Sequence, residues 1–238
     1  MGLLGETKPV KKPILGVSLY PEQETMEEIE NYLTMASRYG FTKIFTSMFS
    51  VPGTKEEVFD YFKNFCDLAH KYGMKVSGDC NTAFFKKMGA SENDISIFKE
   101  MGIDIIRMDL PYFDQRDVTL INNPYNITIE LSSCMIQAVR MALENGANPK
   151  NFSTCHNFYP ERYTASDLES IRSINKELAT LGISSAVFIS SNEDNTHGPW
   201  PVHDGLPTVE DHRWIPAELQ VRHWIAVGDV DEIIFGNA

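Results

Sequence analysis

The sequence predicts an α/β fold, a (β/α)8 TIM barrel, and three observations carry that prediction. Eight strand-like runs alternate with helical runs along the chain, the pattern of βα units and a parallel sheet. Gly40, Gly73, Gly102, Gly146 and Gly182 each follow a helical run and precede a strand, where glycine readily takes the left-handed conformation that ends a helix. The segment Ser153-Thr-Cys-His-Asn-Phe-Tyr-Pro160 runs strand-like into His156 and Asn157 and stops at a proline. That is the layout of a βα-loop, and barrels of this kind gather their chemistry at such loops.

In order, the strand-like runs are Ile14 to Tyr20, Lys43 to Met48, Lys75 to Cys80, Ile103 to Leu110, Asn126 to Leu131, Asn151 to Asn157, Ser184 to Ser191 and Glu232 to Phe235. The clearest helical runs are Thr25 to Tyr39, Lys55 to Tyr72, Ser132 to Glu144 and Ala165 to Leu181, each with apolar residues three and four apart. Ala238 follows the eighth strand closely, so the last helix is expected to be absent or incomplete. Residues 1–12 lack the apolar stretch of a signal peptide and read as a flexible leader, with the barrel over 13–238.

Composition limits the function. A chain of 238 residues with 42% hydrophobic and 11% aromatic content can bury one large core. Its formal charge of -12 opposes nucleic acid and anionic membranes as partners, because a negative field repels polyanions. Cys66, Cys80, Cys134 and Cys155 form no CxxC pair, which favours reduced thiols and a cytoplasmic location over disulfides. No apolar run reaches membrane-spanning length, and no Walker or Rossmann glycine pattern supports a nucleotide cofactor.

Strand alternation selects the side chains that face the lumen. It groups Ser77 with Asp79, Arg107 with Asp109, Asn126 with Thr128 and Glu130, and Thr154 with His156, opposite apolar neighbours such as Ile127, Ile129 and Leu131. Asp79, Asp109 and Glu130 then sit on three successive strands, with Arg107 one layer deeper and His156 on the sixth. Crowded carboxylates repel, so one holds its proton to higher pH than a free acid. A protonated acid beside an ionised one suits glycoside hydrolysis. Structural alternatives stand beside this reading: a strand-end Asp is also a common helix cap, Arg107 with Asp109 makes a plausible lumen ion pair, His156 fits a satisfied core position, and Tyr20 before Pro21 could simply close the first strand.

The stretch from Asn192 to Arg213 reads as one long polar loop after the seventh strand, where barrels commonly bind phosphate. Arg213 and His212 are candidate contacts for a phosphate or carboxylate, and Trp200 for a sugar face. Metal ligation by His197, His203, His212, Asp204 and Glu210 is the weaker alternative, since their spacing matches no compact ligand motif.

A resemblance rests on Gly16-Val-Ser-Leu-Tyr-Pro21, Phe45-Thr-Ser47, Arg107-Met-Asp109, Ile129-Glu-Leu131, Cys155-His-Asn-Phe-Tyr-Pro160 and Gly205-Leu-Pro-Thr208, then Glu210, His212 and Arg213. In this order they resemble the 6-phospho-N-acetylmuramidase family. The resemblance implies an N-terminal TIM barrel, with the family's smaller cyclophilin-like domain missing from this chain. It implies cytoplasmic hydrolysis of the bond between N-acetylmuramic acid 6-phosphate and N-acetylglucosamine, without a cofactor, during recovery of cell-wall fragments. The phosphorylated amino-sugar disaccharide is thus the expected partner. The chain departs from the family pattern at Asp79-Cys-Asn-Thr82, at Leu110-Pro-Tyr112, at Ser132 and at Thr164-Ala-Ser166.

Asp109 and Glu130 are therefore the leading catalytic candidates, with Asp79 third. Tyr20, Ser47, Arg107, His156, Asn157, Trp200, Glu210, His212 and Arg213 are the candidate substrate contacts. An apolar edge left by a missing last helix would favour a homodimer. Two other readings stay open: a phosphosugar-binding module without turnover, and a metal-dependent isomerase or aldolase using the loop histidines.

Overall fold

The computed structural model of the protein describes residues 12–199 and 201–237. The predicted strands form as β1 (Ile14–Ser18), β2 (Lys43–Ser47), β3 (Lys75–Cys80), β4 (Ile105–Met108), β5 (Thr128–Ser132), β6 (Phe152–Cys155), β7 (Ser184–Ile189) and β8 (Glu232–Phe235). Each pairs in parallel with the next, and β8 closes on β1 with Gly16 opposite Ile234. The fold is a (β/α)8 barrel. The leader expected over residues 1–12 lies almost wholly outside the described residues.

Among the described residues eight helices surround the sheet: α1 (Met26–Arg38), α2 (Lys55–Lys71), α3 (Thr82–Met88), α4 (Ser96–Met101), α5 (Gln115–Ile121), α6 (Ile136–Glu144), α7 (Leu168–Leu181) and α8 (Ala217–Val227). Both α3 and α4 lie in the β3 to β4 crossover, and among the described residues none follows β8. Thr25 with Glu28 and Thr54 with Glu57 form capping boxes that satisfy the first amides of α1 and α2. The five predicted glycine stops have φ between 72° and 92°. The helices not assigned from the sequence are α3, α4, α5 and α8. The first three have seven, six and seven residues, too short to repeat an apolar period.

Packing follows alternation. Ile44, Val76, Ile106, Ile129 and Leu131 point outward and belong, with Ile29 and Leu33 of α1, Phe62, Phe65 and Cys66 of α2, Val118 and Ile121 of α5 and Val139 of α6, to the main core between sheet and helices. Each such aliphatic or aromatic side chain contributes roughly 1.5–3 kcal/mol on full burial. A smaller apolar group, Phe45, Cys155, Ala186, Phe188 and Ile234, fills part of the lumen. No helix among the described residues is long and apolar enough to cross a membrane.

Two expectations about strand faces are corrected. On β6, Cys155 belongs to the lumen group while Phe152 packs in the outer core. That parity sends Thr154 and His156 outward and Ser153 and Asn157 inward, since a one-residue change in phase flips every side chain. Asn126 precedes β5 with φ 57°, in the left-handed region, and so is not its first extended residue.

Candidate active site

The alternation of Lys43-Ile-Phe-Thr-Ser47 turns Lys43, Phe45 and Ser47 inward on β2. The same rule turns Ser77 and Asp79 inward on β3, and Arg107 inward on β4 with Asp109 just beyond it. At the C-terminal ends of these strands a cavity of about 310 Å³ is lined by Tyr20, Phe45, Ser47, Asp79, Arg107 and Asp109, with Phe49, Ser50, Asn157, Phe158 and Pro199. This is the barrel mouth. Eight residues named from the sequence, Tyr20, Ser47, Asp79, Arg107, Asp109, Asn157 and, within quoted motifs, Phe45 and Phe158, meet there.

Asp79 and Arg107 are register partners on β3 and β4. Arg107 Nη1 donates to Asp79 Oδ1 at 3.0 Å, and Nη2 donates to Asn157 Oδ1 at 2.6 Å. Its guanidinium carbon lies 5.9 Å from the Phe45 ring centre. Burial pushes the Asp79 carboxyl above its ordinary value, and the charges of Asp109 and Glu130 push the same way, against the lowering by Arg107. Gly78 precedes it on the outward face, where a Cβ would lie 2.2 Å from Met48 Sδ. The absence of a side chain at Gly78 thus lets Met48 pack directly behind the strand that presents Asp79.

Asn157 is held from three sides. Its Oδ1 also accepts from Ser132 Oγ at 3.0 Å, and its backbone carbonyl accepts from Thr208 Oγ1 at 2.9 Å. Thr208 in turn exchanges bonds with Phe188 of β7, giving its amide to Phe188 O and receiving Phe188 N at its Oγ1. The Gly205-Leu-Pro-Thr208 segment therefore fixes the loop after β6. Below Asn157, Phe45, Phe158 and Phe188 form an edge-to-face aromatic floor, with ring centres 5.0–6.3 Å apart. Tyr20 is fully buried and donates to Gly236 O at 2.6 Å, tying β1 to the end of β8.

Other candidates lie elsewhere. Glu130 is 1% exposed and bonded at 2.9 Å to Lys43 Nζ, which also reaches Glu232 at 2.6 Å. It does not line the mouth cavity; it sits in a buried ionic group lower in the lumen. His156 faces the helix layer, where its Nε2 meets Asn175 Oδ1 of α7 at 2.8 Å. Burial lowers its pKa to about 4, against the bond to Asn175. It is a satisfied core histidine.

The predicted anion contacts are committed to holding loops. Arg213 is completely buried, and each of its donor nitrogens is used. Nε donates to Glu210 Oε1 at 2.7 Å, Nη1 to the carbonyls of Tyr159 and Asp204, and Nη2 to Glu161 O and to Glu210 Oε2 at 2.6 Å. A guanidinium has five N–H groups, so none remains for a ligand. Glu210 also accepts from Tyr163 N and Ala165 N; with Arg213 as the main cause, its pKa falls to about 2. His212 is buried, with Nε2 2.7 Å from His223 Nδ1, and burial together with His223 lowers it to about 4. Within the expected long loop, Glu210–His212 form a 3-10 turn. His197 approaches Glu24 and His203 borders a different cavity, so the loop histidines do not converge. Trp200 lies outside the described residues.

Sequence reasoning gave no role to Lys43, Phe158 or Thr208, the last two standing only inside quoted motifs. Lys43 was within reach of it, since extending alternation to β2 places Lys43 in the lumen.

The family model described as 6-phospho-N-acetylmuramidase, N-terminal, matches residues 15–238. A crystal structure of an uncharacterized B. cereus protein superposes with a TM-score of 0.83 at 36% identity, covering 95% of this chain and 61% of that one. A conserved Enterococcus faecalis protein of unknown function gives 0.80 at 22% identity, over 94% of this chain and 61% of that one. The chain thus spans about three fifths of the length of these two relatives. Fungal β-1,4-galactanase, at TM-score 0.55 and 13% identity over 94% of this chain and 89% of that one, shares the barrel fold. No curated protein matches the chain. With a family match over nearly its whole length and the barrel in place, the chain belongs to the 6-phospho-N-acetylmuramidase N-terminal family.

Proposed function

We propose that the barrel is a cytoplasmic glycoside hydrolase that cleaves N-acetylmuramic acid 6-phosphate from N-acetylglucosamine in peptidoglycan recycling, with Asp79 and Asp109 as its working carboxylates. One observation carries this reading: both carboxylates line a single cavity at the barrel mouth, beside Arg107 and above an aromatic floor. Family membership supports the substrate class.

Glycoside hydrolysis needs one carboxyl to protonate the leaving oxygen and a second to act on the opposite side of the ring. Asp79 takes the first role, because its buried setting holds the proton to higher pH. Asp109, exposed at the rim, takes the second. Strand spacing, with Asp109 two residues beyond the register partner of Asp79, sets their backbones roughly 8 Å apart. Carboxyl groups about 5 to 5.5 Å apart in the substrate complex give retention, and about 6.5 to 9.5 Å inversion. Arg107 orients Asp79 and retains N–H groups for an acidic substituent of the sugar. Phe45 and Phe158 offer an apolar face, Ser47 a hydroxyl and Asn157 its amide nitrogen.

The test is direct. The chain is incubated with the phosphorylated disaccharide and the products are followed by mass spectrometry; equimolar N-acetylmuramic acid 6-phosphate and N-acetylglucosamine are expected. Disaccharide bound but left intact would instead identify a phosphosugar-binding module.

A further inference from the structure

Beside the mouth lies a second cavity, of about 250 Å³, between the loops that follow β7 and β8. We propose that it is a subsite for a neutral, hydroxyl-rich sugar residue extending beyond the pair of sugars held at the mouth. The proposal rests on the saccharide reading of that mouth.

The lining specifies the ligand class. Among the described residues Glu193, Asp194 and His203 border the cavity and no lysine or arginine does, so the two carboxylates oppose phosphate and other anions. Among the described residues no group of three His, Cys, Asp or Glu side chains is placed to hold a metal ion. What remains suits a sugar: carboxylates that accept from hydroxyl groups, the Thr196, Ser191 and His203 positions, and one indole ring. Trp214 is that ring. It is 58% exposed, with the Arg162 guanidinium 5.2 Å from its ring centre and Arg162 paired with Asp204 at 2.8 Å. An exposed tryptophan at a polar cavity offers a stacking surface for the C–H face of a sugar.

The wall is rigid and continuous with the mouth. Asn237 Nδ2 donates to Ser191 O and Thr196 Oγ1, while Oδ1 accepts from Ser190 Oγ and Ser191 N. Its amide is thereby saturated and locks the loop to the sheet. Thr196 borders this cavity and Pro199, three residues on, borders the mouth. The neighbour of Asn237, Gly236, receives the Tyr20 hydroxyl from the mouth side.

The probe is N,N′-diacetylchitobiose, a neutral disaccharide, observed by saturation-transfer NMR and titration calorimetry against the intact chain and the variants Trp214→Ala, Asp194→Ala and Phe49→Ala. The subsite predicts binding by the parent chain that Trp214→Ala weakens roughly three- to tenfold, the value of one aromatic contact. Asp194→Ala weakens it too, and Phe49→Ala at the mouth leaves it unchanged. Should Trp214→Ala fail to fold in a thermal melt, Asp194→Ala decides. Absence of binding by the parent chain, or binding lost only in Phe49→Ala, overturns the subsite. Cleavage of the phosphorylated disaccharide by the same parent preparation reports separately on the mouth, so failure of one reading is distinguishable from failure of the other.

Discussion

Asp79 and Arg107 stand opposite one another on β3 and β4 and meet at 3.0 Å inside the barrel mouth, the carboxylate 14% and the guanidinium 8% exposed. A charge pair with so little water is costly to assemble, and removing one partner leaves the other uncompensated. The arrangement orients a carboxyl group while burial raises its pKa, a combination suited to proton transfer.

Glu130→Gln tests the electrostatic coupling beneath the site. The Glu130 charge helps raise Asp79, so its removal lowers the Asp79 pKa. A general acid works protonated, and the alkaline limb of kcat/KM therefore moves to lower pH in the variant. Superimposable pH profiles for the two proteins would remove Glu130 from the electrostatics of catalysis.

Lys43→Met should be far more harmful to stability than a surface change. Lys43 neutralises Glu130 and Glu232 in the lumen, and breaking a buried pair costs about 3–5 kcal/mol. Urea denaturation with unchanged slope and a lower midpoint is the expected record. A midpoint within experimental scatter of the parent would contradict a stabilising role for this buried ionic group.

Arg213→Met separates a structural arginine from a phosphate-binding one. The side chain joins Glu210 to the carbonyls of Tyr159, Glu161 and Asp204, so its loss should destabilise the fold by about 3 kcal/mol or more. Below the melting range, KM for the phosphorylated disaccharide should change little. A stable variant with a selectively raised KM would restore the phosphate contact.

Acid sensitivity should begin near neutrality. Burial lowers His156 and His212 to about 4, below the unfolded value near 6.5. The unfolded chain therefore binds more protons in this interval, and the stability from keeping both rings neutral is full above pH 6.5 and lost as pH falls toward 4. Glu210, lowered to about 2, adds a later loss between about pH 4.5 and 2. Thermal melts across this range should show a descent starting above pH 5, and replacing His156 by glutamine should flatten its first part.

The barrel was legible because eight strand-like runs and five terminal glycines each repeat one physical requirement. Asp79, Arg107, Asp109 and Asn157 were legible as ends of strands. The error at His156 came from Phe152-Ser-Thr-Cys-His156, in which small and polar residues occupy both phases, so only packing of Phe152 outward fixes the parity. Arg213 was misread for another reason: a buried arginine that joins loop carbonyls and one that binds an anion both appear as a single cation in a polar loop. Three-dimensional bonding partners alone separate them.

The most direct measurement is kcat/KM on the phosphorylated disaccharide for the parent chain, Asp79→Asn and Asp109→Asn, with thermal melts of all three. Loss of general acid–base chemistry costs on the order of 10²–10⁴ in rate, so both variants should fall by at least that while still melting cooperatively. Near-parental turnover in both folded variants would contradict the assignment of the mouth carboxylates and, with it, the catalytic reading of the barrel.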